Sequence, residues 1–141
     1  MKRILLALIA GLIFLTGCAN DNQVTVKVEI DCTEILSNYD LLDESLKDEK
    51  YVPADGKILE LTEVTVKEGD GALEVLKTAC KENDIHFDVS DGYAKGINYI
   101  YEKSCGEMSG WVYEVNHEMI MSEYFVSQDD VITWKYICSF E

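Results

Sequence analysis

The chain has 141 residues, 48% of them hydrophobic, which fits one globular domain with a packed core. Its 27 acidic residues outnumber its 12 basic ones. The net charge of −15 excludes nucleic-acid binding, because that binding depends on basic side chains that displace phosphate counterions. The single proline and nine glycines exclude collagen-like and proline-rich architectures.

The N-terminus has the pattern of an export signal. Lys2 and Arg3 precede twelve uncharged residues at 4–15, fewer than the roughly 20 that a membrane-spanning helix needs. The Leu-Thr-Gly-Cys tetrad at 15–18 resembles the bacterial lipobox, which implies a lipid on the Cys18 thiol and cleavage before it. An uncleaved N-terminal anchor is the alternative.

This pattern predicts the domain organisation and the location. We expect a lipoprotein signal peptide at 1–17, a lipidated cysteine with a short tether at 18–23, and one domain at 24–141. Cleavage would remove two basic residues and no acidic one, leaving 10 basic against 27 acidic residues and a net charge of −17. Anionic lipid repels such a domain, so the lipid itself must anchor it at the extracytoplasmic face of the bacterial cell membrane.

Four further cysteines remain in the predicted mature chain: Cys32, Cys80, Cys105 and Cys138. An even number of cysteines in an exported protein predicts two disulfides, chosen from three pairings. A zinc site is disfavoured, because structural zinc ligands come in pairs about two to four residues apart. The closest two cysteines here have 24 residues between them, and no metal site is predicted.

Apolar periodicity predicts the elements in chain order. They are a strand at 24–30, a helix from Thr33 to Leu46 broken near Asp43, a turn region at 51–57, a strand at 58–67 with a register change, a helix that Asp70 caps, and strands at 85–89, 93–101, 111–115 and 131–136. The helix after Gly71 has one apolar stripe. Several strands with one amphipathic helix over a sheet face predict an α+β domain.

Catalytic patterns are weak in this sequence. No serine lies in a nucleophile-elbow motif, and neither His86 nor His117 lies in a recognisable motif. The acidic runs at 40–44 and 129–130 lack the spacing of a calcium loop and are typical of solvated surface charge. The chain is therefore predicted not to be an enzyme.

Aromatic residues are concentrated in the last third of the chain, where strand alternation turns some inward and leaves others for contact with a ligand or partner. The loop at 116–124 adds Met119 and Met121, and methionine adapts well at binding surfaces. Ordinary packing is the alternative interpretation of both features.

Several ordered stretches together resemble one known family. They are Val28-Glu29-Ile30-Asp31-Cys32, Tyr51-Val52-Pro53-Ala54-Asp55-Gly56, Glu68-Gly69-Asp70, Gly96-Ile97-Asn98, Cys105-Gly106, Ser109-Gly110-Trp111-Val112-Tyr113, Val115-Asn116 and Asp130-Val131-Ile132-Thr133-Trp134-Lys135-Tyr136. The chain is similar over 24–136 to the transcobalamin-like C-terminal domain, a β-grasp-like module common in lipoproteins of Gram-positive bacteria. The resemblance implies a mixed β-grasp-like sheet packed on the main helix.

In the animal vitamin B12 carriers the related domain closes over one face of the corrin ring. The resemblance therefore implies cobalamin or another corrinoid as a ligand, with no cofactor required. The candidate ligand-binding residues are Asn98, Tyr99, Trp111, Tyr113, Asn116, His117, Met119, Met121 and Tyr124.

The implied fold also suggests the disulfides. In a β-grasp-like sheet the first and last strands are parallel neighbours, so Cys32 and Cys138 would lie at the same end and pair. Cys80, on the apolar stripe of the helix, would then pair with Cys105.

These observations predict a non-enzymatic, lipid-anchored extracytoplasmic module that binds a corrinoid or similar flat cofactor. The alternative is a cell-surface structural or adhesion module that binds a protein or cell-wall partner by strand addition at a sheet edge. An accessory subunit of a transporter is a third class.

Overall fold

The computed structural model describes residues 22–139. The predicted signal peptide, the lipidated Cys18 and most of the tether lie outside the described residues. In chain order the elements are β1 Gln23–Asp31, α1 Thr33–Ser37, two 3-10 turns at Tyr39–Leu41 and Glu44–Leu46, β2 Lys57–Lys67, α2 Ala72–Glu82, β3 Phe87–Ser90, β4 Tyr93–Ile97, β5 Ile100–Tyr101, β6 Gly110–Val115, β7 Glu118–Ile120 and β8 Val131–Ile137.

The main sheet has five strands in the order β2-β1-β8-β6-β7. Its first and last long strands, β1 and β8, are parallel neighbours with Asp31 level with Lys135, whereas the other pairs are antiparallel. The predicted α+β class and mixed β-grasp-like sheet are therefore confirmed. The predicted register change in β2 is also present, as an irregularity opposite Val28 and Ile30.

Two-residue turns with positive φ divide the second half of the chain. Asp91 and Gly92 join β3 to β4 in an antiparallel hairpin. Asn98 and Tyr99, with φ of 51° and 65°, split the predicted strand 93–101 into β4 and β5. Both φ values lie in the left-handed region that two-residue hairpin turns require. The strands β3, β4 and β5 thus form a second, three-stranded sheet.

The predicted helix from Thr33 to Leu46 is wrong in its extent. The α-helix ends at Ser37, where the Asn38 side chain donates a hydrogen bond to the Glu34 carbonyl at 3.0 Å. Beyond it, the Asp43 N–H donates to the Ser104 carbonyl at 2.8 Å. This contact with a distant segment pulls the chain out of helical geometry, so only short 3-10 turns remain.

The helix α2 forms as predicted, but Asp70 does not cap it. The Asp70 carboxylate accepts from the Lys67 N–H at 3.1 Å, and Gly71 occupies the N-cap position without a side-chain bond. The Tyr124 carbonyl accepts instead from the Ala72 N–H at 3.1 Å. The N-terminus of α2 is therefore capped by a backbone carbonyl from a distant loop, and not by the neighbouring side chain that the sequence predicts.

The buried residues form two clusters. The larger joins the inner faces of β1, β2 and β8 to α2 and the small sheet, and it contains Cys80 and Trp134. The smaller lies beneath α1 and contains Cys32, Cys105 and Cys138. Among the described helices, none is long and apolar enough to cross a membrane.

Candidate functional site

A cavity of about 480 Å³ lies between the inner face of β6 and β8, the start of α2 and the hairpin β3–β4. This volume is within the range of small-molecule sites, roughly 300–1,000 Å³. Five of its lining residues are aromatic: Tyr93, Trp111, Tyr113, Tyr124 and Trp134. The cavity is therefore lined mainly by apolar residues, among which the aromatic rings are the largest.

Strand alternation places the first wall. In the antiparallel pair of β6 and β8, Tyr113 is opposite Trp134 and Trp111 is opposite Tyr136. Alternate residues of a strand point to the same face, so these rings all lie on the inner side of the sheet. The rings of Tyr113 and Trp134 are in contact, with centroids 4.9 Å apart. The sheet thus presents a continuous aromatic surface to the cavity.

The loop after β7 forms the opposite wall and is fastened at several points. Its Tyr124 carbonyl accepts from the first N–H of α2, and the Val126 N–H donates to the Asp70 carbonyl at 2.9 Å. The Tyr113 hydroxyl donates to the Ser122 carbonyl across the cavity. These bonds hold the loop, so the cavity is built by the fold and does not depend on a ligand to shape it.

Asp130 supports this loop from behind. Its carboxylate accepts from the Tyr124 hydroxyl at 2.9 Å, the Asn116 amide at 3.0 Å and the Ser127 N–H at 2.8 Å. Burial alone would raise the pKa of Asp130, but the three donated hydrogen bonds outweigh it, and the pKa lies below its usual value of 3.8. Asp130 therefore stays ionised and ties the β6–β7 turn to the loop.

One polar group at the cavity has no partner. The Nε1–H of Trp134 is buried and lacks a hydrogen-bond acceptor among the described residues. The corresponding group of Trp111 donates to the Ile100 carbonyl at 2.7 Å. An unpaired buried donor costs roughly 1–3 kcal/mol. The unpaired Trp134 donor is therefore a local cost to the stability of the fold.

The structure brings four of the nine predicted ligand-binding residues together at the cavity: Trp111, Tyr113, Met121 and Tyr124. Met119 lies opposite Glu114 on the β6–β7 pair, one residue from the cavity-lining Ile120, so it faces the other side of the sheet. A shift of one residue along a strand reverses the face of a side chain.

The other four predicted residues have positions away from the cavity. Asn98 donates to the carbonyls of Lys50 and Tyr51, and Tyr99 stacks on His86 with ring centroids 4.0 Å apart. Asn116 and His117 form the exposed β6–β7 turn, both with positive φ. Their side chains shape turns and are not part of the cavity wall.

Sequence reasoning missed the contribution of the other elements to the cavity. Gly71, Ala72 and Leu73 at the start of α2, and Gly92 and Ala94 at the β3–β4 hairpin, line it. The small residues at the N-terminus of α2 are the signal that was available, since they let the loop carbonyl of Tyr124 approach. Only the fold brings them to the aromatic wall.

All four described cysteines are free and buried in the structure, so neither predicted disulfide is present. Cys80 and Cys105 lie in different core clusters, which does not correspond to the predicted pairing of these two residues. Cys32, Cys105 and Cys138 share one core cluster, in which the Cys105 thiol donates a hydrogen bond to the Asn38 carbonyl at 3.4 Å. No group of three His, Cys, Asp or Glu side chains within residues 22–139 is arranged to hold a metal ion.

The match with known families falls on the same part of the chain as the cavity. No curated protein matches the chain. Residues 69–137, which run from the turn before α2 to the end of β8 and include every residue that lines the cavity, match the model of a family described as a domain of unknown function, DUF4430.

Proposed function

We propose that this protein is a non-enzymatic binding module, anchored by a lipid on Cys18 at the extracytoplasmic face of a bacterial membrane, that holds a flat apolar ligand in the cavity. The observation that carries the proposal is the cavity of about 480 Å³ walled by five aromatic residues. Aromatic faces bind planar apolar groups by stacking and edge contacts, and such contacts add to simple area burial.

The transcobalamin-like resemblance suggests the ligand class, and the matched family model covers the segment that builds the cavity. A corrinoid is a flat ring system, which matches the aromatic side chains that line the cavity. A corrin ring is wide, so we propose that one edge enters the cavity while the remainder lies over Tyr93 and Met121, which are 45% and 77% exposed.

The proposed anchor fits the end of the sheet at which the chain enters. The Asn22 carbonyl accepts from the Glu68 N–H at 2.8 Å, close before α2 begins. The five residue steps from Cys18 to Gln23 span at most about 18 Å when extended. A lipid on Cys18 would therefore keep the end of the sheet that holds the start of α2 near the membrane.

Cysteine chemistry supports a role without catalysis. Burial raises the pKa of Cys32, of Cys80 and of Cys138 to about 12. A thiol acts as a nucleophile only as thiolate, so these groups are poor nucleophiles at neutral pH.

Titration with cobinamide and cobalamin tests the proposal, with intrinsic fluorescence as the signal. The chain has two tryptophans, and both line the cavity, so a ligand that enters it should quench most of the tryptophan emission. Met121→Ala should weaken binding about tenfold by loss of apolar contact. Met119→Ala is the matched control, because this equally flexible side chain lies on the opposite face of β7.

Two results would count against the ligand proposal. One is the absence of quenching by either corrinoid at near-millimolar concentration. The other is an equal effect of the two methionine variants, since that would place the ligand outside the cavity.

A second function, strand addition by an extended partner, is favoured by one observation. The residues Gly110–Val112 pair with β8 on one side, while β7 covers only Tyr113–Val115 on the other. This leaves a strand edge beside the cavity with no paired strand among the described residues, and extended peptides bind such edges. Hydrogen exchange separates the two functions, because an added strand would protect the Trp111 amide and a corrinoid in the cavity would not.

A further inference from the structure

The smaller core cluster brings two cysteines together across a long stretch of chain. Cys105 follows β5 in the turn 104–109, and Cys138 follows β8. Both residues belong to the same buried cluster, in which the Cys105 thiol donates a hydrogen bond to the Asn38 carbonyl at 3.4 Å. Both residues are buried, at 0% and 7% exposure. A bond between the two sulfurs would therefore lie within one core cluster.

The turn 104–109 is what carries Cys105 to this position. The Cys105 N–H donates to the Ser109 hydroxyl at 3.1 Å, which folds the turn back against the start of β6. Gly110 is level with Ile137 in the antiparallel pair, so the turn lies beside the next residue of β8, Cys138. A Cβ atom at Gly106 would lie 3.9 Å from the Cys138 carbonyl oxygen, which confirms the close approach of the two backbones.

Cys32 is in the same cluster but lies out of register. Asp31 is level with Lys135 in the parallel pair, so Cys138 is two residues further along its strand than Cys32. Two residues of strand correspond to roughly 7 Å. In agreement with this offset, the Cys138 N–H donates to the Glu34 side chain at 2.8 Å. The common sheet end expected for Cys32 and Cys138 is therefore present, but the register does not join them.

We propose that Cys105 and Cys138 form a disulfide when the chain folds in an oxidising compartment, and that Cys32 and Cys80 remain buried thiols. This assignment is independent of the ligand of the cavity. It replaces the two pairings expected from the sequence with a single bond, which ties the turn after β5 to the end of the last strand.

The reaction is thiol–disulfide exchange with a disulfide oxidant, such as an exported dithiol oxidase or, in vitro, glutathione disulfide. The Cys105 thiolate attacks one sulfur of the oxidant and releases the other as a thiol. The Cys138 thiolate then attacks the Cys105 sulfur and releases the second thiol. The protein loses two protons and two electrons, and the oxidant gains them.

Burial of the two thiols determines whether the disulfide forms before or after the chain has folded. The pKa of Cys138 is raised to about 12 and that of Cys105 is also raised, chiefly because both thiols are desolvated in the folded state. Few thiolates exist at neutral pH under these conditions. The bond should therefore form during folding, before the turn 104–109 closes over the two sulfurs.

Peptide mapping after refolding tests the assignment. The full chain is reduced and unfolded in urea, then refolded with reduced and oxidised glutathione and treated with iodoacetamide. Trypsin places Cys32, Cys80, Cys105 and Cys138 in separate peptides, 28–47, 78–81, 104–135 and 136–141, and Cys18 in a fifth, 4–27. We expect peptides 104–135 and 136–141 to be joined and peptides 28–47 and 78–81 to be alkylated.

Cys80→Ala and Cys32→Ala provide the controls. Cys80 lies in the other core cluster, and Cys32 is offset from Cys138 by two residues of strand register, so both variants should retain the joined peptide. The mapping of the unsubstituted chain remains decisive if either variant does not fold. A joined pair that contains peptide 28–47 or 78–81, or alkylation of all four peptides, would overturn the proposal.

Two further readouts follow from the bond itself. The oxidised protein should melt roughly 10 °C higher than the reduced protein, since the bond closes a loop of 32 intervening residues. Glutathione disulfide should form the bond at least tenfold faster during refolding than in the folded, reduced protein. Equal rates would overturn the proposed order of events, and equal melting temperatures would overturn the assignment of a structural bond.

Discussion

The two tryptophans at the cavity differ in one respect that a pair of matched substitutions can measure. The Nε1–H of Trp111 donates to the Ile100 carbonyl at 2.7 Å, whereas that of Trp134 is buried without an acceptor among the described residues. Replacement by phenylalanine removes the same part of the ring in both cases. The two variants should therefore differ in the free energy of unfolding by the hydrogen-bond contribution.

The magnitudes can be worked out from these contacts. Replacement of an indole by the smaller phenyl ring costs about 1–2 kcal/mol in apolar contact and cavity formation. For Trp134→Phe, removal of the unpaired donor returns about 1–3 kcal/mol, so the net change should lie within about 1 kcal/mol of zero. For Trp111→Phe, the lost hydrogen bond adds to the packing loss, and the total should be about 2–4 kcal/mol.

Urea denaturation followed by far-ultraviolet circular dichroism is the appropriate assay, because each variant also removes one of the two fluorescent side chains. The denaturant dependence should be the same for both variants, so that the midpoints alone report stability. The reasoning would be refuted if Trp134→Phe destabilised the protein as much as Trp111→Phe or more. That result would mean that Trp134 already has a hydrogen-bond partner in solution.

The remaining predictions concern a turn, a buried carboxylate and the N-terminus. Gly56→Ala should cost more than about 3 kcal/mol, because Gly56 has a φ of 73° and a Cβ there would lie 2.6 Å from the Thr33 Cα. Gly92→Ala is the control, since Gly92 has a φ of 82° but a Cβ there would meet no atom within 4 Å, so a loss of about 1–2 kcal/mol in the free energy of unfolding is expected. Similar urea midpoints for the two variants would contradict this reasoning. Asp130 has a lowered pKa in the folded state, so the stability it contributes is present above about pH 4 and is lost as the pH falls through its folded pKa. Asp130→Asn should lower the free energy of unfolding by about 2 kcal/mol at pH 7 and reduce its fall between pH 5 and pH 2, whereas parallel pH profiles would exclude this role. Cys18→Ala should abolish lipidation and signal cleavage, and detergent partitioning with the mature mass in this variant would show that the lipoprotein interpretation is wrong.

The periodicity of apolar residues is sufficient to predict the main strands and the main helix of the domain. Alternating residues at 24–30 and 131–136 and the apolar stripe after Gly71 predict the two central strands and α2, because burial of one face imposes a period on the chain. Strand and helix periods depend on a few neighbouring residues, so the sequence by itself determines them. The family resemblance, and not local pattern, names Trp111 and Tyr113 as binding candidates, and both line the cavity.

The site and the cysteine arrangement depend on contacts between distant residues. The Tyr124 carbonyl caps α2 from 52 positions away, and no local signal distinguishes it from Asp70, the expected cap. Positive φ at Asn98 and Tyr99 turns a predicted single strand into a hairpin and moves both residues away from the cavity. The parallel register offsets Cys138 from Cys32, while the antiparallel register brings the turn of Cys105 beside it. Strand registers and loop closures are fixed by packing across the whole domain, and only the tertiary structure decides which side chains of one sheet end meet.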